Sequence, residues 1–566
     1  MNGPQTKFAQ HLHATKYRSD GECFDEAMNR IAAALTDGTR EQFHELREIL
    51  RSMRFMPAGR IQAAVGALKS VTPYNCFVSG TIEDSFVDGD GSIMARATEA
   101  AATMRMGGGI GFDFSTLRPR GALIRSLDSS SSGPIAFMEI FNALCECIRS
   151  AGHRQGAEMG VFRVDHPDIE SFIYAKQNSD KLTAFNISIG ITDEFMRAVE
   201  SGEPFDLRWD GEVYSTIDAR ALWEKIMRST WDWAEPGVLF IDTINRMNSL
   251  HYCETIAATN PCGEQPLPPH GACLLGSFNL TKYVTLTEQI CDFDWQQFEA
   301  DVLPVVRAMD KVIDIATYPL PEQEAEAKSK RRMGLGITGL ANAGEALGFR
   351  YGSLAFLEFE ARVLETLRDA AYWASTVLAE ELGPFPMFDA KEYMQGEFIA
   401  TLPQEVRDRI LKVGIRNSHL LSLAPTGTIS LCADNVSPSI EPVFSKRLTR
   451  TVESFDGPTE VELVDYGLAT WGVEPTECVD VTAAEHLAVL TTAQRYVDSA
   501  VSKTCNVSPV MPWSDFKQLY MDAWKGGAKG CTTFNVGGKR MGILKAEPTE
   551  GSSCEIDPIT GRSNCE

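Results

Sequence analysis

Short apolar runs of strand length recur along this chain with amphipathic helical stretches between them, and this alternation restricts the fold more than any other feature. Ile187–Ile191, Val238–Ile241, Cys273–Phe278 and Leu420–Leu423 are of the type that forms strands buried on both faces. Between them, Ala219–Trp233, Trp295–Ile315 and Phe356–Leu382 repeat apolar residues at three-to-four spacing. Strand and helix in alternation predict an α/β fold with a largely parallel sheet or barrel. Ahead of this region, Phe24–Leu35 and Arg40–Met53 predict a small helical N-terminal region over residues 1–55. No internal repeat of solenoid period is present.

Composition narrows the function. Hydrophobic residues at 44% and charged residues at 23% are those of a packed globular protein. A net charge of −24 opposes wrapping of a nucleic-acid backbone, although one nucleotide in a pocket needs only a few local donors. No apolar run approaches the ~20 residues of a membrane span, and Met1 to Arg18 lacks a signal-peptide core, so a cytoplasmic protein without a membrane partner is expected. In a reducing compartment the 14 cysteines gain weight as redox groups. None is spaced as a zinc pair, and no metal site is expected. Cys145 and Cys147 should face different directions on one helix, and His11 and His13 read as surface residues.

The chemistry concentrates in Asn260-Pro-Cys-Gly-Glu-Gln-Pro-Leu-Pro-Pro-His-Gly-Ala-Cys273. Proline and glycine exclude a regular helix or central strand, so a tight loop gathers Asn260, Cys262 and Glu264. An amide, a thiol and a carboxylate together could bind and activate a hydroxyl, with Glu264 as proton acceptor and Cys262 as the reactive group. Taken alone, the loop reads equally well as a proline-rich connector with an incidental cysteine. Pro425-Thr-Gly-Thr-Ile-Ser430 offers hydroxyls and backbone amides suited to a phosphate, or a plain strand-end turn.

Asn260-x-Cys262-x-Glu264, followed by Gly271-Ala-Cys-Leu-Leu-Gly-Ser-Phe-Asn-Leu280, resembles the finger loop and adjoining strand of ribonucleotide reductases. Further segments are similar in the family's order: Met56-Pro-Ala-Gly-Arg60, Tyr74-Asn-Cys-Phe-Val78, Gly107-Gly-Gly-Ile-Gly-Phe112, Arg331-Arg-Met-Gly-Leu-Gly-Ile-Thr-Gly339 and Ala424-Pro-Thr-Gly-Thr-Ile-Ser430. They extend from about residue 55 to 535 and are nearest to the adenosylcobalamin-dependent (class II) branch. The resemblance implies a ten-stranded α/β barrel over residues 56–542 with the Cys262 loop threaded through its centre. It implies that Cys262 becomes a thiyl radical that takes the ribose 3′ hydrogen, that Glu264 and Asn260 hold the 3′-OH, and that Cys76 and Cys273 supply two electrons. Substrate would lie against Ala58, Gly59, Asn260, Glu264, Pro425, Thr426, Gly427, Thr428 and Ile429.

The run Gly107 to Gly111 follows a helical stretch and lacks dinucleotide-fingerprint spacing, so it is not read as a Rossmann turn. The apolar face Ile93, Met94, Ala97, Ala100, Ala101 and Met104 is either a core helix or a subunit interface. By resemblance it packs on its mate in a homodimer, with Asp84, the loop Met104–Phe112 and Arg118 around a deoxynucleotide or ATP effector. The segment Lys176 to Lys181 would relay effector identity to the substrate base. Residues 543–566 read as a flexible redox tail carrying Cys554 and Cys565, which would exchange with thioredoxin or glutaredoxin. The stretch Gly530-Cys-Thr-Thr-Phe534 lacks the tyrosine pair that a diiron-partnered (class I) large subunit, the alternative reading, would carry. Adenosylcobalamin is therefore the expected radical source. Residues 1–55 are too few for an ATP-cone.

Overall fold

The computed structural model describes residues 2–68, 71–150, 154–155, 157–177, 181–287, 290–454, 457–535, 537–539, 554–556 and 563–565. Three helices open the chain, Lys7–Tyr17, Phe24–Leu35 and Arg40–Arg51. The second and third bury the stripe that their spacing predicts, with Ile31, Ala32, Leu35, Leu46, Ile49 and Leu50 all inside. The first is not visible in the hydropathy pattern, because it buries only Ala9, His13 and Tyr17. His13, expected at the surface, is thus a core residue. Its Nδ1 accepts from Arg18 Nε at 3.0 Å, which leaves Nε2 to donate to Gln62 Oε1 at 2.9 Å. Burial and the Arg18 charge push its pKa down to about 4, so the neutral ring fits both bonds. Gln62 in turn donates to the Pro57 carbonyl at 2.7 Å, propping the chain beside Ala58.

Ten strands follow, β1 (Phe55–Pro57), β2 (Cys76–Val78), β3 (Gly109–Asp113), β4 (Glu158–Arg163), β5 (Phe185–Ile191), β6 (Gly237–Phe240), β7 (Ala272–Asn279), β8 (Met333–Thr338), β9 (Thr504–Val507) and β10 (Gly530–Asn535). They join in the order β1-β7-β2-β3-β4-β5-β6-β10-β9, with β8 also paired to β7. Strands β2 to β6 run parallel, as do β7 with β8 and β9 with β10. The two sets meet at antiparallel seams, β2 against β7 and β6 against β10. Helices cover the outside, as parallel strands buried on both faces require.

This ladder does not close on itself. The gap between β8 and β9 is spanned by Leu420–Leu423, expected from its apolar run to be a strand. Only single bridges, Leu335 with Leu421 and Leu423 with Val501, connect it. The physical reason is Asp498, whose buried carboxylate takes the Leu420 and Leu421 amides at 2.7 and 2.9 Å, withdrawing them from any ladder. The arrangement fits an α/β barrel left open as a sheet, with this segment lying in the gap.

Inside the ring a second, smaller core joins Val78, Met159, Val161 and Leu239 to Ile256, Ala258, Leu267 and Cys273. Its centre is a hairpin, Ala258–Thr259 against Pro266–Leu267, whose tip is the loop 260–265. Helix Ile93–Arg105 buries Ile93, Ala97, Ala100 and Met104 and lies on helix Pro134–Cys147, while Met94 stays exposed. Cys145 is buried and Cys147 exposed, as their spacing predicts. Among the described residues no helix is long and apolar enough to cross a membrane.

Gly111 on β3 sits where the hairpin crosses the barrel wall. A Cβ there would lie 1.8 Å from the Thr259 carbonyl oxygen, so the hairpin backbone would have to move. Gly111→Ala is expected to lower unfolding stability by about 1–3 kcal/mol through overpacking. Urea unfolding checks this, and an unchanged midpoint would show that the hairpin is not pressed on β3.

Candidate active site

The loop at the hairpin tip is held by its own polar groups. Asn260 N donates to the Gln265 carbonyl at 3.1 Å, and Gly263 N to the Asn260 carbonyl at 3.1 Å. The Asn260 side chain accepts from Gln265 N at 2.9 Å and donates to Glu264 Oε1 at 2.9 Å and Cys76 Sγ at 3.1 Å. Outside contacts pin it further. Asn186 Nδ2 donates to the Pro261 carbonyl at 3.0 Å, and Ser422 Oγ and Ala500 N both donate to the Glu264 carbonyl at 3.0 Å. Asn260 and Glu264 are almost fully buried, whereas Cys262 between them is left partly open.

Cys76 and Cys273 are direct partners across the antiparallel β2/β7 seam. Residues opposed in this way have Cα atoms about 4.5–5.5 Å apart, within the reach of a disulfide. Cys76 Sγ lies 3.6 Å from Glu264 Oε1, so the seam and the loop form one cluster. Burial pushes both thiols well above the usual range. The Glu264 carboxylate raises Cys76 further, while Arg332 is the largest charge acting downward on Cys273. Both are therefore held as protonated thiols. Glu264 Oε2 is buried without a hydrogen-bond partner among the described residues.

The segments expected to hold substrate come to the same place. Ala58 packs with Cys76 and Leu275, and Ala424 packs against this cluster. Ile429 packs with Met56 and Tyr17, and Gly59 lies so close to Tyr17 that a Cβ would fall 2.4 Å from its ring. Pro425 leads into a short helix, Gly427–Cys432, through Thr426 at φ 57°. The Thr426 hydroxyl is used within the fold, bonding Thr338 Oγ1 at 3.1 Å and accepting from Ser439 N at 2.8 Å. Thr428 is half-buried.

Of the residues expected at an effector site, Asp84 and Arg118 are brought together, Arg118 Nε donating to Asp84 Oδ2 at 2.6 Å. Lys176 is engaged elsewhere, with Glu235 at 2.8 Å. Lys181 is exposed, and residues 178–180 between them lie outside the described residues. Most of the expected redox tail lies outside them as well. Two described pieces, Cys554–Ile556 and Ser563–Cys565, pair antiparallel with Cys554 opposite Cys565, and the second lies beside helix Gly427–Cys432.

The family model described as ribonucleotide reductase, barrel domain, matches residues 74–471 and 476–534. This chain belongs to the ribonucleotide reductase family. It is 34% identical over 562 residues to a vitamin B12-dependent ribonucleoside-diphosphate reductase of Mycobacterium tuberculosis, covering 93% of this chain and 77% of the relative. A protein of the same name from Thermoplasma acidophilum is 33% identical over 559 residues, covering 93% and 69%. A ribonucleoside-diphosphate reductase large subunit of Variola virus is 27% identical over 423 residues, covering 67% and 54%.

One part of this reductase's centre was not legible in the sequence. Arg332, read only as part of a barrel segment, is buried and paired with both Glu254 and Glu326. Lys330 joins the same carboxylates at 2.9 and 3.0 Å. Burial pulls Glu254 upward, but the Arg332 and Lys330 charges hold it down at about 2. Nothing in the segment Arg331-Arg-Met-Gly-Leu-Gly-Ile-Thr-Gly339 marks a buried carboxylate partner.

Glu264 moves the other way. Burial raises it from an ordinary 4.5 to about 6, against the opposing pull of the Asn260 amide and the two nearby thiols. A folded pKa above the unfolded one means the fold binds more protons across that window. Stability therefore falls as pH rises from about 4.5 to 6 and is level above. The shift corresponds to about 2 kcal/mol. Glu264→Gln lacks this penalty, so its stability relative to wild type is expected to rise by about 2 kcal/mol over that interval. Urea unfolding at a series of pH values tests it; parallel profiles for the two proteins would contradict the shift.

Proposed function

We propose that this chain is an adenosylcobalamin-dependent ribonucleotide reductase that converts ribonucleotides, as diphosphates, to 2′-deoxyribonucleotides. The observation that carries the proposal is the Cys76–Cys273 pair set beside a buried Asn260/Glu264 loop that leaves Cys262 partly open. A half-open thiol on an otherwise sealed loop suits a bound radical source, and β10 carries Thr532 and Thr533 where a tyrosine relay would stand. When bound, adenosylcobalamin supplies the radical by homolysis of its cobalt–carbon bond. Cys262, as the thiyl, takes the ribose 3′ hydrogen. Glu264, ionised near neutrality, accepts the 3′-OH proton while Asn260 keeps the carboxylate oriented. Cys76, kept protonated by burial and by the neighbouring carboxylate, protonates the leaving 2′-OH. Water departs, the pair passes two electrons to the ribose and ends as a Cys76–Cys273 disulfide, and Cys262 returns the hydrogen to the 3′ carbon, which restores its thiyl.

In this reading residues 1–55 form a helical support, 56–542 the barrel, and 543–566 the redox tail. Ala58, Gly59 and Pro425 to Ile429 cradle the substrate, with Thr428 and the backbone of Gly427 and Ile429 toward its phosphates. Asp84 and Arg118, with Lys176 and Lys181, belong to a site for a deoxynucleotide or ATP effector. Helix Ile93–Arg105 packs on its mate in a homodimer. Cys554 and Cys565 carry electrons from thioredoxin or glutaredoxin, and the opposed register of their strands suits a dithiol. Thiol chemistry of this kind suits a reducing cytoplasm.

Deoxynucleotide formation from CDP and CTP, assayed with and without adenosylcobalamin, tests the proposal. Turnover of CDP only with the cofactor is expected, and a requirement for an iron-containing second subunit would instead select the class I alternative. Cys262→Ser should abolish hydrogen exchange between the cofactor 5′ position and solvent, whereas Cys76→Ser should keep exchange and lose turnover. Identical behaviour of the two variants would break this division of roles.

The tail is tested separately. Cys554→Ser/Cys565→Ser should lose multiple turnover with thioredoxin while keeping most of it with dithiothreitol, and its first turnover should be normal. Undiminished turnover with thioredoxin would remove the tail from the electron path.

A further inference from the structure

Cys76 and Cys273 face opposite electrostatic surroundings. Cys76 lies 3.6 Å from the Glu264 carboxylate and packs among Ala58, Leu275 and Ala424. Cys273 packs deeper, in the interior core with Val78, Leu239 and Leu267. It immediately precedes Leu274, whose partner on the parallel strand β8 is Met333, and Arg332 immediately precedes Met333. Residues at equal offset from a paired position share a face of the sheet, so Arg332 stands beside Cys273 on the neighbouring strand.

The carboxylates that face Cys273 each have a partner of their own, and Arg332 itself is paired with Glu254 and Glu326. Glu326 is shared between Arg332 and Lys330, Glu264 takes the Asn260 amide, and Asp498 takes three backbone amides and the Tyr372 hydroxyl. His419, packed beside Arg332, is driven far toward the neutral form by burial and by the Arg332 charge. Arg332 is the largest charge acting on the Cys273 thiol, and it favours the thiolate.

We propose that Arg332 sets the direction in which the Cys76–Cys273 disulfide is reopened: the incoming thiolate attacks Cys76, and Cys273 leaves as a thiolate stabilised by the Arg332 guanidinium. This rests on the redox role given to the pair above. The incoming sulfur forms a bond to Cys76 Sγ, the Cys76–Cys273 bond breaks, and its electron pair departs on Cys273 Sγ. A second thiolate then attacks the incoming sulfur, which releases Cys76 and completes a new disulfide on the reductant. Both active-site sulfurs take up protons, so two thiols are oxidised for one disulfide reduced. Exchange is faster the more stable the leaving thiolate. Glu264 disfavours that charge on Cys76, and Arg332 favours it on Cys273.

The test begins with one turnover of the holoenzyme without reductant, using whichever of CDP and CTP is accepted, which leaves the pair oxidised. Reduction by the monothiol 2-mercaptoethanol is quenched with acid at early times, free thiols are alkylated, and peptides are mapped by mass spectrometry. In wild type the mercaptoethanol adduct is expected on Cys76 and the alkyl group on Cys273. An adduct on Cys273 overturns the proposal without any variant. Arg332→Gln/Glu254→Gln removes both members of a buried pair and so strands no charge. It is expected to slow reduction about tenfold at neutral pH, to move the pH profile of reduction upward, and to spread adducts over both cysteines. Arg332→Lys should restore most of the rate. An unchanged rate and pH profile in the double variant overturns the role of Arg332. Absence of any Cys76–Cys273 disulfide after turnover is a different failure, that of the redox pair itself.

Discussion

A loop that crosses the inside of a barrel has backbone groups that water cannot reach, and the side chain of Asn260 is where this chain meets that constraint. Its carbonyl replaces a ladder acceptor for Gln265 N, and its amide reaches Glu264 and Cys76. One residue thus closes the loop and fixes the distance between the carboxylate and the first thiol. Unpaired buried amides cost about as much as a lost hydrogen bond. The loop is therefore stable only in the geometry that satisfies them. Ser422, Ala500 and Asn186 complete this from three separate parts of the wall, so the loop position depends on the ring being assembled.

Room for the loop is made by glycines. On β3 a Cβ at Gly109 would lie 3.0 Å from Pro261 and one at Gly111 would strike the Thr259 carbonyl; on β8 one at Gly334 would fall 2.6 Å from Gln265 Nε2. None of these three needs a positive φ, so glycine is used here for close approach alone. This gives Gly109 and Gly111 a role that a phosphate-loop reading would miss. They admit a polypeptide into the barrel. The same enclosure excludes solvent, and desolvation is what raises Glu264, Cys76 and Cys273 together.

What the sequence disclosed follows the physics of each element. Runs such as 187–191 and 273–278 appear as strands within two residues of their predicted bounds, because uninterrupted apolar length is itself the signal of a doubly buried strand. The loop residues were legible because proline and glycine leave few alternatives between Asn260 and Glu264. Helix Lys7–Tyr17 was not, since a polar histidine occupies the middle of its buried stripe. Leu420–Leu423 was read as a strand because its composition is right; the Asp498 carboxylate, 78 residues beyond Leu420 and 77 beyond Leu421, decides otherwise. The hairpin Arg447–Ser454 with Gly457–Val464 also carried no clear signal, its sequence being largely polar. For the first helix and for Leu420–Leu423 the deciding contacts, His13 with Gln62 and Asp498 with Leu420 and Leu421, are distant in the chain, and no local pattern encodes them.

The paired arginines at the mouth of β8 show the same limit and explain its value to the fold. Arg331 adopts φ 53° and reaches outward to Asp310 and Asp314 on helix Val302–Ile315, each at 2.8 Å. Arg332, one residue on, turns inward to Glu254 and Glu326. Adjacent residues thereby tie the same strand end to the outer helical layer and to the inside of the ring. Buried ion pairs of this sort return little net stability, because desolvation offsets most of their attraction. What they do impose is register. If β8 slipped by one residue along β7, Arg331 and Arg332 would exchange sides, and Asp310, Asp314, Glu254 and Glu326 would each lose an arginine. The pairing of Leu274 with Met333 is thus held by charge as well as by apolar contact, and with it the place of Arg332 beside Cys273.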